Sequence, residues 1–212
     1  DQEFNEKTFG LRVVERLNKF GVLGHKSIAA HCVHVNEKEM DILARTQTAV
    51  VHNPQSNMNN AVGVADIIKM SAKGVLVGLG TDAMTVNMPA EMRVALWAQH
   101  LAGNNPSCGF MEALTPLPFN NAKIANRCWE DIALGELREG AAADIILVDY
   151  FPPTQFDENT FLGHLCFGMA ESAVDTTIAS GKILMRGKKL LLDVDEAEIA
   201  AKSRELSKTL WE

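Results

Sequence analysis

The chain has 212 residues, of which 47% are hydrophobic and 22% charged, the composition of an ordinary globular protein. Its 27 acidic and 20 basic residues give a net charge of −7, which argues against a nucleic-acid partner and favours a small-molecule one. The cysteines are far apart without a CxxC pair, so neither a disulfide framework nor a zinc ribbon is indicated: Cys32, Cys108, Cys128 and Cys166.

Reduced thiols of this kind indicate a cytoplasmic protein. No apolar run reaches the ~18 residues of a membrane span, so we expect no membrane partner. The first residues, Asp1 and Gln2, have neither an initiator Met nor signal-peptide character. We therefore expect the chain to be cut from a longer one.

The first part of the chain alternates helical and strand-like patterns with short connections. In chain order the pattern predicts a helix over 3–20, a strand over 27–33, a helix from the Asn36 cap to about 45, a strand over 48–52, a helix over 64–73 and a strand over 75–79. This alternation implies a parallel sheet, in which catalytic loops follow the carboxyl ends of the strands. His31, His52 and Asp82 all lie near such ends.

The pattern changes after about residue 135, where helices predicted over 89–102 and 118–128 give way to short strands. Strands are predicted over 145–148, 174–178, 183–185 and 190–192, with turns at Ser180-Gly181 and Arg186-Gly187. A closing helix over 195–210 would present Ile199, Leu206 and Leu210 to a partner surface. We therefore predict two parts, residues 1–135 and 136–212.

Three ordered segments, 28–34, 51–57 and 77–82, resemble the later barrel strands of the amidohydrolase superfamily, in its cytosine deaminase and chlorohydrolase-like group. Segments 120–126 and 137–144 resemble that group's return from the barrel to a small β-sandwich. Segments 62–66 and 167–169 look most like the SsnA-type aminohydrolase branch. The resemblance implies an α/β fold: about strands six to eight of a (β/α)₈ barrel, part of a β-sandwich and a terminal helix.

The resemblance also implies the catalytic residues. Asp82 matches the carboxylate after strand eight, which ligates the metal and accepts a proton from the attacking water. His31 matches the histidine that ends strand six, which hydrogen-bonds the metal-bound hydroxide or the substrate and in some members ligates the metal. The implied cofactor is a divalent metal, Zn²⁺ first and Fe²⁺ as an alternative, because both accept imidazole and carboxylate ligands.

The implied reaction removes an amino group from a nitrogen heterocycle, by addition of metal-activated water and protonation of the leaving nitrogen, with chloride as the alternative leaving group. The family's His-x-His pair, its histidine after strand five and its Glu proton shuttle have no counterpart in this chain. A complete barrel needs roughly 250 residues. We therefore expect the N-terminal remainder of the parent protein to supply these groups, with Asp1 just after strand five, and a homodimer as the assembly.

Each residue also has a structural interpretation. His31 could be a satisfied core residue, and Asp82 could cap the turn that follows it. Four residues are candidates for the substrate pocket, each with an alternative structural role: His34 as a structural residue or a hydrogen-bond donor, His52 as a backbone hydrogen-bonding group, Asn57 as a turn former and Met84 as a gap filler.

A second hypothesis comes from a different class of protein. The chain could be a non-catalytic structural module with an incomplete barrel, no metal and obligate self-association through its open sheet edges. A Rossmann-type nucleotide binder is disfavoured, because no GxGxxG motif follows an early strand.

Overall fold

A computed structural model describes residues 1–129 and 131–211. The chain forms two compact units, Asp1–Ala142 with Asp149–Ser172, and Ala143–Val148 with Ala173–Glu212. This division differs from the predicted boundary after residue 135. Segment 149–172, predicted to belong with the sandwich, packs in the first unit because its helix α9 (Phe161–Phe167) contacts a long helix there, α6 (Met88–Gly103).

The N-terminal region contains two helices, α1 (Gln2–Phe9) and α2 (Val13–Lys19), where the sequence predicted one. Gly10 has a left-handed backbone with φ 67°, which ends α1 and turns the chain. The buried carboxylate of Glu39 then fixes this corner, accepting from Arg12 Nε at 2.7 Å and from the Val14 amide at 3.0 Å. The single-helix prediction was wrong because a glycine C-cap outweighed the apolar spacing.

The first unit is built on a three-stranded parallel sheet in the order β1 (Ile28–Ala30), β2 (Ala49–His52), β3 (Val77–Leu79). The parallel register pairs Ala29 with Val50 and Val51 with Gly78. The predicted alternation of strand and helix is confirmed. Strands β2 and β3 are largely buried, as their continuous apolar runs predict.

Three helices connect these strands. Helix α3 (Glu37–Thr46) begins at Asn36, whose side chain accepts from the Glu39 amide in the predicted capping box. Helix α5 (Ile67–Ala72) is shorter than the predicted helix over 64–73. Helix α4 (Pro54–Asn59) lies between the predicted strand over 48–52 and the predicted helix over 64–73, where no helix was predicted; the proline in its first turn favours a helix start.

The core lies between the sheet and its helices. It is formed by apolar side chains of α3, β2, α5, β3, α6 and the following helix α7 (Phe110–Leu114), of which the largest fully buried ones are Leu43, Ile67, Met70, Met92, Leu96 and Leu114. The chain then passes through a π-helical turn, Pro116–Asn120, into α8 (Asn121–Ala125). The sequence predicted one helix over 118–128, and this prediction missed the change from a π-helical turn to an α-helix at Asn121.

Side chains of the Asn120-Asn121 pair cover the outer edge of β3. The Asn121 carboxamide donates to the Leu79 carbonyl and accepts from the Leu79 amide, each at 2.9 Å. Asn120 donates to the Val77 carbonyl at 2.9 Å. The carboxamides thus satisfy backbone groups that a neighbouring strand would otherwise pair with.

We expect Asn121→Leu to lower the free energy of unfolding by about 1–3 kcal/mol, since the Leu79 amide and carbonyl both lose their partner. Urea unfolding followed by circular dichroism would measure the change. Asn59→Leu, at an exposed asparagine of α4, is the control. Equal stability of the two variants would show that the Asn121 contacts contribute nothing to folding.

The second unit contains a four-stranded antiparallel sheet in sequence order, β4 (Ile145–Val148), β5 (Val174–Ala179), β6 (Lys182–Arg186) and β7 (Lys189–Leu190). Its predicted turn at Ser180-Gly181 is confirmed, with both residues at positive φ. The next turn centres on Gly187-Lys188, one residue later than predicted. Helix α10 (Glu196–Trp211) follows, with Ile199, Leu206 and Leu210 exposed.

Candidate functional site

The carboxyl ends of β1 and β3 bring His31 and Asp82 together. Because the two strands flank β2 in parallel, the residues that follow them meet at the same edge of the sheet. His31 Nε2 lies 3.7 Å from Asp82 Oδ2. Both side chains are partly exposed, at 39% and 49%, so small molecules can reach this pair from solvent.

The backbone at both positions is left-handed. His31 has φ 65° and Asp82 has φ 49°, and each is followed by a second residue with positive φ. Such conformations cost about 1–3 kcal/mol in a residue other than glycine, and they collect at functional sites. The sharp turns direct both side chains toward one point at the end of the sheet.

Two further side chains contact this pair from helix α4. Ser56 Oγ donates to Asp82 Oδ2 at 2.6 Å, and Asn57 Oδ1 lies 2.8 Å from His31 Nδ1. Both residues are buried, with 2% of their surface exposed. Asn57 was a predicted pocket residue. Ser56 was missed, since a serine in a Pro, Gln, Ser and Asn-rich segment is ordinarily attributed to a turn.

His52 lies beneath the site, at the end of β2, and is 1% exposed. Within residues 1–129 and 131–211, neither of its ring nitrogens has a hydrogen-bond partner. Burial lowers the pKa of His52 to about 4, with a smaller contribution from the nearby His31. A buried imidazole that stays neutral and has free polar atoms can hold water or a ligand group.

The other two predicted pocket residues lie farther into the loops. His34 is exposed, and its backbone carbonyl accepts a hydrogen bond from the guanidinium of Arg12. Met84 follows Asp82 in an exposed turn and is 44% exposed. The structure therefore gives His52 and Asn57 buried positions near the His31 and Asp82 pair, and it gives His34 and Met84 positions on the surface.

Glu91 of helix α6 is a buried carboxylate that sequence reasoning missed. It accepts from the Gln55 amide at 2.9 Å, at the start of α4, and it is 0% exposed. Burial raises the pKa of Glu91 above its ordinary value, while the Gln55 hydrogen bond acts in the opposite direction. Its position in an amphipathic helix gave no indication of this contact.

His31 and Asp82 place one nitrogen and one oxygen donor side by side at the end of the sheet. In the described part of the chain, no three side chains of His, Cys, Asp or Glu converge in a way that could hold a metal ion. In a tetrahedral zinc site, a nitrogen and an oxygen that are each about 2.0–2.1 Å from the ion lie about 3.4 Å apart. With a separation of 3.7 Å, His31 and Asp82 can supply two donors.

These features define an α/β protein with an imidazole and a carboxylate at the carboxyl ends of parallel strands. The chain belongs to the amidohydrolase family, whose sequence model matches residues 2–184. No helix in the described residues is long and apolar enough to cross a membrane.

Curated relatives carry deaminase names. The chain is 33% identical over 208 residues to a 5-methylthioadenosine/S-adenosylhomocysteine deaminase of Desulforudis audaxviator, covering 96% of this chain and 48% of the relative. It is 35% identical over 211 residues to a 5'-deoxyadenosine deaminase of Methanocaldococcus jannaschii, covering 97% and 48%. The chain thus spans about half the length of the curated relatives it matches.

Solved structures share the fold. An adenosine deaminase from Xanthomonas campestris with bound zinc superposes with a TM-score of 0.83 at 23% identity, covering 98% of this chain and 48% of that one. The zinc complex of atrazine chlorohydrolase TrzN from Arthrobacter aurescens gives 0.77 at 21% identity, covering 97% and 46%. At these identities the comparison establishes the fold and nothing further.

Proposed function

We propose that this chain is the C-terminal part of a metal-dependent aminohydrolase that removes an amino group from a nitrogen heterocycle. Residues 1–135 would contribute strands six to eight of its (β/α)₈ barrel, and residues 136–212 would contribute part of a β-sandwich with a closing helix. The observation that carries this proposal is the meeting of His31 and Asp82 at 3.7 Å, beyond the ends of parallel strands.

The substrate class follows from the relatives. Those with 33% and 35% identity are named for deamination of 5-methylthioadenosine, S-adenosylhomocysteine and 5'-deoxyadenosine. We therefore infer that the parent protein deaminates an adenine nucleoside modified at its 5' position. The SsnA-type branch stays a prediction from residues 62–66 and 167–169.

Asp82 is the proposed metal ligand and base, and His31 is the proposed orienting group or an additional ligand. A divalent metal, zinc first and Fe²⁺ as the alternative, would supply a water acidic enough to lose its proton near neutral pH. The Asp82 carboxylate, which is partly exposed, would accept that proton. The His31 imidazole would donate to or accept from the attacking oxygen and keep it oriented.

The remaining parts of the site would come from the N-terminal remainder of the parent protein. That remainder would supply the other metal ligands and the acid that protonates the leaving nitrogen. From this chain we propose His52, Asn57, His34 and Met84 as residues of the substrate pocket. A homodimer in the cytoplasm is the proposed setting.

The experiment is to express the full-length parent with zinc and measure ammonia release from 5-methylthioadenosine, S-adenosylhomocysteine and 5'-deoxyadenosine. We expect turnover that a chelator abolishes and zinc restores. Denatured mass spectrometry of the sample would verify that the first half is present. A full-length, zinc-loaded protein without turnover on any of the three nucleosides would contradict the proposed substrate class.

The same sample tests the non-catalytic alternative. A natural polypeptide of 23.2 kDa that self-associates and binds no zinc would overturn the enzyme proposal for this chain. A full-length chain carrying one zinc ion per subunit would contradict the structural-module hypothesis.

A further inference from the structure

We propose that Ser56 and Asn57, consecutive residues of α4, are positioning residues: each holds one of the two groups of the candidate site, and Asn57 selects the His31 tautomer. The inference rests on the proposed function for its catalytic consequence, though the contacts themselves do not depend on it. Ser56 Oγ binds Asp82 Oδ2 at 2.6 Å and Asn57 Oδ1 lies 2.8 Å from His31 Nδ1.

A carboxamide oxygen only accepts hydrogen bonds, so its contact with Nδ1 requires the proton to be on that nitrogen. The neutral His31 ring then has its lone pair on Nε2, the atom that faces Asp82. Hydrogen bonding at one ring nitrogen is the usual way in which proteins set what the other nitrogen can bind. Asn57 thus prepares Nε2 to accept a proton or to bind a metal.

Ser56 orients Asp82 as Asn57 orients His31. Asp82 Oδ2 accepts the Ser56 hydroxyl proton and also faces His31 Nε2 at 3.7 Å. Two electron-rich atoms therefore point toward each other, an arrangement that a cation or a proton between them stabilises. Helix α4 holds this arrangement from below with two adjacent buried side chains.

Helix α4 is itself fixed in place. Its second residue, Gln55, donates its backbone amide to the buried Glu91 of α6 at 2.9 Å. The Asn60 side chain donates to the Ser56 carbonyl at 3.0 Å, which stabilises the short helix at its other end. A helix of six residues would otherwise be marginal, so these contacts keep Ser56 and Asn57 in position.

The Asn57 amide nitrogen supplies an independent observation. It is buried and has no hydrogen-bond partner within the described residues, as is also true of both ring nitrogens of His52. A packing residue ordinarily has its polar atoms satisfied. Among the described residues, the contact with His31 is therefore the hydrogen bond that the Asn57 carboxamide makes, and packing alone does not account for an asparagine here.

The first experiment measures the tautomer directly. The full-length parent, labelled with ¹⁵N-histidine and free of metal, is examined by long-range ¹H–¹⁵N spectroscopy at about pH 9, well above the range in which imidazoles ordinarily titrate. His31→Gln assigns the His31 signals. We expect the Nδ1–H form in the wild type, its loss in Asn57→Leu and its retention in Asn59→Leu, an exposed position on the same helix.

An Nε2–H tautomer in the wild type, or an unchanged His31 tautomer in a folded Asn57→Leu variant, would overturn the inference. Because Asn57→Leu buries an apolar side chain, Asn57→Asp is the second variant. It keeps an acceptor at this position and is expected to retain the Nδ1–H form. A change in the Asn57→Asp tautomer to Nε2–H would count equally against the proposed selection.

The second experiment uses the full-length enzyme. Partners that orient metal ligands are typically worth 10–100-fold in metal affinity or activity. We expect Ser56→Ala to lower kcat or zinc affinity by about that factor with little change in KM, and Ser56→Thr to restore it. Equal losses in the alanine and threonine variants, or a loss confined to KM, would contradict positioning of Asp82. The tautomer result does not depend on turnover, so an inactive parent would refute the proposed function alone.

Discussion

Asp82→Asn is expected to reduce turnover of the full-length enzyme by roughly 10²–10⁴-fold, the usual contribution of a catalytic acid or base. The amide keeps the shape of the side chain and its acceptor for Ser56 Oγ, which lies 2.6 Å from Asp82 Oδ2. It cannot take a proton from water, and it is a poorer metal ligand. Turnover under saturating substrate and zinc content by atomic absorption would separate the two losses.

Asp193→Asn is the control for this prediction, because Asp193 is an exposed aspartate of the second unit. We expect it to retain wild-type turnover. Asp82→Asn with full zinc content and near-normal turnover would show that the carboxylate is a turn residue. That result would support the capping interpretation of Asp82 and remove the central residue of the proposed mechanism.

We expect His52 to lower the free energy of unfolding by about 3 kcal/mol when the pH falls to about 4. Its pKa is about 4 in the folded chain against 6.5 for an ordinary imidazole, so the unfolded chain binds the extra proton between these values. The free energy of unfolding therefore falls as the pH is lowered from about 6.5 to about 4, at about 1.36 kcal/mol per unit. Above pH 6.5 the imidazole is neutral in both states and has no such effect.

The measurement is urea unfolding of the wild type and of His52→Gln at pH 7 and pH 4. Glutamine does not titrate, so the variant should lose about 3 kcal/mol less than the wild type between the two values. His25→Gln, at an exposed histidine, should keep the wild-type acid dependence. Identical acid dependence in His52→Gln would mean that His52 gains a partner or a proton in the folded chain.

The sheets could be predicted because burial leaves a simple pattern. Strands β2 and β3 have both faces covered, so they appear in the sequence as short continuous apolar runs between polar loops. The pair Ser180-Gly181 provides the positive φ that a tight hairpin needs. The helix predictions failed where one residue decided the local structure. Gly10 divides the predicted first helix, and Pro54 begins a helix in a segment rich in turn formers.

Some residues of the candidate site could likewise be predicted from the sequence, and others could not. His31 and Asp82 could be proposed because each follows a strand end within a recognisable motif. Ser56 and Glu91 could not, since their roles depend on the approach of α4 to β3 and of α6 to α4. Sequence periodicity describes which face of one element is apolar. It contains no information on which polar side chain of another element meets that face.

The carboxamide of Asn121 makes the two hydrogen bonds to Leu79 that a neighbouring strand would make: it donates to the Leu79 carbonyl and accepts from the Leu79 amide. Leu79 is the last residue of β3 and lies three residues before Asp82. The carboxamide therefore anchors the end of the strand from which the proposed catalytic carboxylate departs, so the position of Asp82 depends on a residue of α8 that does not touch it.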